Sequence, residues 1–376
     1  MINFINSLKL TNYKAFENQL IEFKPLTLLS GLNSTGKSSV LQSLLLLRQS
    51  YQQELLPNVG LALNGELVHI GTAQDAFCER AKEDYLGFEI IWNDRKKGIW
   101  RFSYDQIKTG ADVLNNLDSK LPIENVYKLS PFNRRFHYLQ AERLGPRTSY
   151  DMSDYQARRL GQLGSKGEYT AHFLAINQDK DVLQTKLRHP MAKSNTLSSQ
   201  VEGWMREVSP GTRIKINSNS DIGLMSLQYF YGDSNPYRTT NVGFGISYTL
   251  PIIVAVLSSS PGTLIIIENP EAHLHPKGQV KMGELLSLAA SCGIQIVIET
   301  HSDHVLNGIR LAVHGGKIKP DDVQLHYFQR QEKGGQTVTE VVSPHIDRNG
   351  RIDRWPDGFF DEWEKSLDVL LEPAGE

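Results

Sequence analysis

Cysteine is scarce in this chain of 376 residues, which holds only Cys78 and Cys292, far apart and outside any C-x-x-C pair. That scarcity excludes a disulfide framework and a cysteine-rich zinc site, and it suits a reducing compartment. Long apolar runs are lacking as well. Stretches such as PIIVAVL and LIII fall far short of the ~20 residues that a membrane helix requires. The opening MINFINSLKL has no basic region, apolar core and small-residue cleavage site in succession, so a cytoplasmic protein with no membrane contact is expected. Charge of one sign is missing too: the formal net charge is -2, and no whole-molecule basic field advertises nucleic acid. No heptad run is sustained, which excludes long coiled-coil arms, and there is no internal repeat or low-complexity tract.

What is present is globular: 40% apolar and 22% charged residues, enough for one large α/β domain with an appendage or for two ordinary domains. SLKLTNYKAF and QLIEFKPLTLLSG alternate as strands do, and ELVHIG, YLGFEIIW and GIWRFSYDQI read as an antiparallel sub-sheet. A strand is expected at RFHYLQAERL, helices near 153–163, 169–176 and 197–208, and strands at TRIKIN and LMSLQYFYG. From residue 246 onward helices and apolar strands alternate, which implies a parallel sheet with crossover helices.

The sharpest local signal is GLNSTGKS, Gly31 to Ser38, which follows the strand LTLLS and opens a helix. Glycines at both ends let the backbone curl so that successive N–H groups converge on phosphate oxygens. Asn33, Ser34, Thr35, Gly36, Lys37, Ser38 and Ser39 are the expected nucleotide contacts. Lys37 reaches the β- and γ-phosphates and Ser38 offers a hydroxyl to Mg²⁺. A second apolar strand, in GTLIIIENPEAHLHP, ends in Glu268, the expected acidic partner of Ser38 at the Mg²⁺ site. A third, in IQIVIETHS, runs into Thr300 and His301, where a strand tip faces the ligand crevice of a parallel sheet.

These segments resemble, in content and order, the ABC-type ATPases of the OLD, RecF and SMC kind. ENPEAHLHP is similar to the run that joins the Walker B strand to the D-loop in the OLD-like branch, and ETHSDH to its switch-histidine stretch. TTNVGFGISYTLPII resembles a degenerate signature, with Gly243, Gly245 and Ser247 before or within the start of a helix. NGRIDRWPDGFFDEW resembles a C-terminal domain of unknown function that closes one subgroup, here a WPxGFFD pattern.

The resemblance implies an α/β fold of the ABC-type P-loop ATPase class, with a mixed, mainly parallel sheet, an antiparallel β subdomain and a helical insertion. It implies an ATPase domain over 1–315, interrupted by an insertion at about 75–235, and a small C-terminal domain over 316–376. It also implies ATP and Mg²⁺ as cofactors, and a homodimer in which Gly243, Gly245 and Ser247 of one copy cap the triphosphate held by the other. Such sites usually carry an Asp-Glu pair where this chain reads Glu268-Asn269. An amide accepts no proton, so Glu271 becomes the substitute base, His301 its orienter or rival, and hydrolysis is expected to be slow.

His273 and His275 read either as metal ligands or, more simply for a D-loop, as packing groups. Gln74 and Gln140 compete for the role of γ-phosphate sensor. Between Arg134 and Arg159, Arg134, Arg135, Arg143, Arg147, Arg158 and Arg159 alternate with aromatics, a pattern that suits either a nucleic-acid track or a structural role. The structural role is preferred for Arg143 and Arg147. Asp353, Asp357 and Asp361 sit among aromatics as a packed turn would, and no nuclease is expected in this chain. The implied function is an ATP-driven switch acting on a separately encoded effector, plausibly in antiphage defence. A RecF-like repair ATPase that binds DNA is the alternative. A small-molecule kinase would leave the signature and switch histidine idle.

Overall fold

The computed structural model describes residues 2–107, 109–117 and 124–372. In chain order, the first part contains β1 (Ile5–Tyr13), β2 (Phe16–Glu22), β3 (Leu26–Gly31), α1 (Lys37–Gln52), β4 (Gly60–Ala62), α2 (Ala73–Ala76), β5 (Tyr85–Trp92), β6 (Lys97–Ser103), β7 (Val113–Asn115) and β8 (Phe136–Leu139). A lobe follows with β9 (Tyr150–Asp151), α3 (Thr170–Asn177), α4 (Leu197–Val208), β10 (Thr212–Asn219), β11 (Leu224–Tyr231) and β12 (Tyr237–Arg238). The chain ends with α5 (Phe244–Ser258), β13 (Leu264–Glu268), α6 (Pro276–Ser291), β14 (Gln295–Glu299), α7 (Asp303–His314), β15 (Val323–Lys333), β16 (Gln336–Val342) and α8 (Glu362–Leu371).

The central sheet runs β16-β15-β3-β14-β13-β8, with every pair parallel except β15–β16. Its inner strands LIIIE and QIVIE are apolar almost throughout because parallel strands are covered on both faces. Alternation then sorts the side chains. Ile265 and Ile267 enter a core with α5, α6 and α7, whereas Leu264 and Ile266 enter a second core with α1 and the strands β1, β5 and β6. The sheet therefore separates two hydrophobic cores, and its carboxyl-terminal edge is left free for polar groups.

Four expectations differ from the structure. The stretch 75–235 is not one insertion: β5 and β6 pair with β1 and β2 in an antiparallel sheet, and β8 belongs to the central sheet. The strands β9 to β12 form a sheet of their own, packed into the same core as α5 and α6. The stretch expected as a separate C-terminal domain, 316–376, contributes β15 to the central sheet, where it pairs with β3 from Leu26 to Gly31. AERL is not strand. The chain leaves β8 at Leu139 and turns, which carries Arg143 under the end of β13. The helix expected near 153–163 is a single wide turn, Tyr155–Leu160, closed by Gly161 at φ 67°.

The aromatic tail packs as a turn: Phe359 is fully buried against Tyr327, whose hydroxyl donates to the Asp357 carbonyl at 3.0 Å. Asp353 accepts from the His345 N–H, and Asp361 pairs with Lys365, so these acids hold local structure. Among the described residues, no helix is long and apolar enough to cross a membrane.

Candidate nucleotide site

The phosphate loop is held in an open curl by backbone that most side chains would refuse. Gly31 has φ 136°, and a Cβ there would lie 2.2 Å from the Phe328 carbonyl oxygen of β15. Gly36 has φ 100°, and a Cβ would meet the Phe16 ring at 2.6 Å. Arg330 of β15 donates to the Ser34 carbonyl at 3.0 Å, so the C-terminal part of the chain braces the loop from outside. Thr35 is buried and donates to the Leu32 carbonyl, whereas Asn33, Ser34 and Ser38 are exposed and Ser39 is buried in the first turn of α1. Lys37 donates to the carbonyls of Gly31 and Leu32 at 2.8 and 2.6 Å. Burial holds its ammonium below the usual lysine range, and Glu299 opposes that shift. A phosphate entering the curl offers this buried cation a stronger acceptor than two loop carbonyls.

Three carboxylates, Glu268, Glu271 and Glu299, lie near enough to interact electrostatically, and one of them meets Ser38. Glu268 and Glu299 end adjacent parallel strands and stand directly opposite each other in register. Both Glu299 oxygens lie 3.2 Å from the Ser38 hydroxyl. Glu268 points elsewhere: one oxygen accepts from the Tyr138 hydroxyl at 2.8 Å and the other from the Ala141 N–H at 3.1 Å. Burial and the Glu268 charge push the Tyr138 phenol up, so it remains a donor. Glu271 accepts from the Thr300 hydroxyl at 2.7 Å and the His301 N–H at 2.9 Å, which anchors the segment bearing His301. Burial first, then Glu268 and Glu271, raise the Glu299 carboxyl to about 7, against Lys37 and Ser38. Burial and Lys37 hold His301 below its ordinary value, with Glu271 opposing, so its imidazole is neutral near pH 7.

Arg143 ties the arrangement together. It is 2% exposed, and its guanidinium donates to the carbonyls of Gln140, Glu268, Asn269 and Tyr248. Sequence reasoning gave Arg143 a structural role but assigned none to Glu299 or Tyr138. The missed signal is plain in hindsight, since IQIVIE ends in an acid as LIIIE does.

A phosphate loop facing acids at the tips of neighbouring parallel strands suits a nucleoside triphosphate with a hard divalent cation. Comparisons with known proteins agree. The model "AAA ATPase domain" matches residues 4–121, which include the phosphate loop. The model "AAA domain, putative AbiEii toxin, Type IV TA system" matches 167–307, which include Glu268 and His301. "Protein of unknown function (DUF3696)" matches 318–370. Among solved structures, the Smc head domain with an extended coiled coil bound to the C-terminal domain of ScpA, derived from Pyrococcus furiosus, superposes with a TM-score of 0.53 at 12% identity, covering 98% of this chain and 100% of that one. The Smc head domain with a coiled coil and joint derived from Pyrococcus yayanosii also gives 0.53, at 10% identity and the same coverage. An SMC head bound to the C-winged helix domain of ScpA gives 0.51 at 12% identity, covering 91% and 98%. No curated protein matches. Parts of the chain match AAA ATPase domain models, and its fold resembles that of an SMC head.

Within that fold, the signature segment differs from expectation in one respect. Gly243 caps α5 and is exposed, Phe244 is 55% exposed, and a Cβ on Gly243 would meet open space. Ser247, by contrast, is 6% exposed and lines an internal cleft with Tyr150, Thr170 and Tyr229. The reason is that α5 is enclosed on all sides beyond its first turn: every residue from Ile246 to Leu257 except Tyr248 is buried.

The D-loop histidines have local partners. His273 packs against the rings of Phe244 and Tyr248, and His275 caps α6 by accepting from the Lys277 N–H. Gly245 lies so close to this loop that a Cβ would stand 2.5 Å from the His273 carbonyl oxygen. Gly245→Ala should therefore displace the start of α5 and cost about 1–3 kcal/mol, as overpacking does. Urea unfolding measures it, and an unchanged midpoint would contradict the contact.

Gln140 immediately follows β8, beside Glu268, while Gln74 sits on α2 outside the central sheet. That placement favours Gln140 for a sensor of the bound phosphates. Of the arginine-rich stretch, Arg143 is buried, and Arg134, Arg135, Arg147, Arg158 and Arg159 are exposed. Arg135 donates to the Pro261 carbonyl and Arg158 pairs with Asp154.

Proposed function

We propose that this chain is a nucleotide-gated switch. It binds ATP in the Gly31–Ser38 curl and pairs with a second copy across the bound triphosphate. In that state it controls a separately encoded partner. The observation that carries the reading is the convergence of Lys37, Ser38, Glu268 and Glu299 at one sheet edge, together with the exposed, glycine-led start of α5. When bound, Mg²⁺ would neutralise the charge between the β- and γ-phosphates; Ser38 and the strand-tip acids are the groups that fit it. Lys37 leaves its loop carbonyls for the phosphates. Glu271 orients Thr300 and His301, and with both oxygens engaged it is a poor proton acceptor. Asn269 cannot serve either, so turnover is slow and the closed pair persists.

A defence role draws support from the AbiEii wording of the second family model, and control of a partner from the ScpA-bound SMC heads. The RecF-like alternative, with DNA on the arginine stretch, is weaker because Arg135 and Arg158 already have partners.

Light scattering with a non-hydrolysable ATP analogue tests the reading. The mass should double on adding analogue, and Lys37→Ala should lower analogue affinity about 100-fold, close to 3 kcal/mol, and abolish the pairing. Binding without any change in mass would defeat the paired-site proposal.

A further inference from the structure

We infer that Glu299, not Glu268, is the carboxylate that enters the metal coordination sphere beside Ser38. This inference rests on the nucleotide-site reading above and specifies its chemistry.

The two acids begin as equivalents. Each ends an apolar strand of the central sheet, and each is the other's register partner. Their surroundings separate them. Tyr138 and the Ala141 N–H occupy one oxygen each of Glu268, from the β8 side of the sheet. The Arg143 guanidinium fixes the backbone beneath by taking the Glu268 and Asn269 carbonyls, and so immobilises the strand tip that carries the side chain. A carboxylate held by two donors gives up both bonds if it rotates toward a cation.

Glu299 carries no such restraint. Its only side-chain hydrogen-bond partner among the described residues is the Ser38 hydroxyl, the group that offers itself to Mg²⁺ at the start of a phosphate-loop helix. The spacing also suits one ion. Neighbouring ligands of an octahedral Mg²⁺ with bonds of 2.0–2.1 Å stand about 3 Å apart, and the Ser38 and Glu299 oxygens are 3.2 Å apart. β14 lies between the phosphate-loop strand β3 and β13, so Glu299 projects from the position nearer the loop. Mg²⁺ commonly takes one or two protein oxygens and completes its shell from phosphates and water. One hydroxyl and one carboxylate therefore suffice, with Glu268 supporting from the next strand.

The test is the binding of a fluorescent non-hydrolysable ATP analogue, measured in EDTA and across an Mg²⁺ titration, for the unaltered chain, Glu299→Gln and Glu268→Gln. For Glu299→Gln, metal-free affinity should rise by severalfold, because a negative charge leaves the phosphate site. At the same time, the gain in affinity produced by Mg²⁺ should fall at least tenfold. Glu268→Gln should lose less of that gain. Mn²⁺ in place of Mg²⁺ gives a second readout: electron paramagnetic resonance of the ternary complex should report weaker Mn²⁺ retention in Glu299→Gln. If Glu299→Gln keeps the full Mg²⁺ gain, or Glu268→Gln loses the larger share, the inference is overturned while nucleotide binding stands. If the unaltered chain binds no analogue in either condition, the nucleotide-site reading falls and the inference with it.

Discussion

Arg143→Met is expected to lower unfolding free energy by about 3–5 kcal/mol, the loss typical when one partner of a buried charged network is removed. The side chain is 2% exposed and donates to four backbone carbonyls from three parts of the chain: Gln140 after β8, Glu268 and Asn269 after β13, and Tyr248 in α5. Methionine fills much of the volume but leaves all four acceptors without this donor. Burial lowers the guanidinium to about 10, still charged at neutral pH, so its bonds remain charge-assisted. Lysine should recover only part of the loss, since a compact ammonium cannot span acceptors placed for a planar fork. Equilibrium urea denaturation provides the measurement, and a cost under about 1 kcal/mol would refute the stapling role. Because the staple sits under Glu268, the same substitution should weaken nucleotide binding in molecules that remain folded.

The second large effect concerns pH and Glu299. Its carboxyl is raised to about 7 in the folded chain, by burial and then by Glu268 and Glu271, from an ordinary value of 4.5. Between those two values the folded protein holds a proton that the unfolded chain has released. Stability from this group is therefore full below about pH 4.5 and declines as pH rises toward 7. Above that it stays at its lower level. The decline is on the order of 3 kcal/mol for the nucleotide-free, metal-free protein. Glu299→Gln removes it. Melting temperatures of the two proteins in EDTA should match most closely near pH 5 and diverge toward pH 7.5, with the glutamine variant higher. A parent that gains on the variant over that interval would show the sign to be wrong. Bound nucleotide with Mg²⁺ should restore the parent, since a cation removes the penalty for the ionised carboxylate.

Much of the site is legible along the chain because its chemistry is local. GLNSTGKS carries its own glycines and leads directly into a helix, and Lys37 and Ser38 open α1 at its end. Strands ending in Glu268 and leading to His301 are visible as apolar runs of the right length. The class of fold is legible for the same reason, since apolar strands alternating with helices force a parallel sheet. Other features were not legible. The family resemblance implies Ser247 as a donor, but its burial depends on what the rest of the fold packs around α5. The bracing of the phosphate loop by Phe328 and Arg330 joins residues almost a whole chain apart. The extent of the insertion was not legible either, because β5 and β6 pair with β1 and β2 while β8 joins the central sheet, and no local pattern assigns those pairings.

The residues alone determined that a triphosphate-type loop meets acid-tipped parallel strands, because turn conformation and side-chain alternation are decided within a few neighbours. Only the folded molecule decided which acid faces Ser38. That choice depends on strand register and on donors brought in from β8, which no stretch of sequence near either glutamate contains.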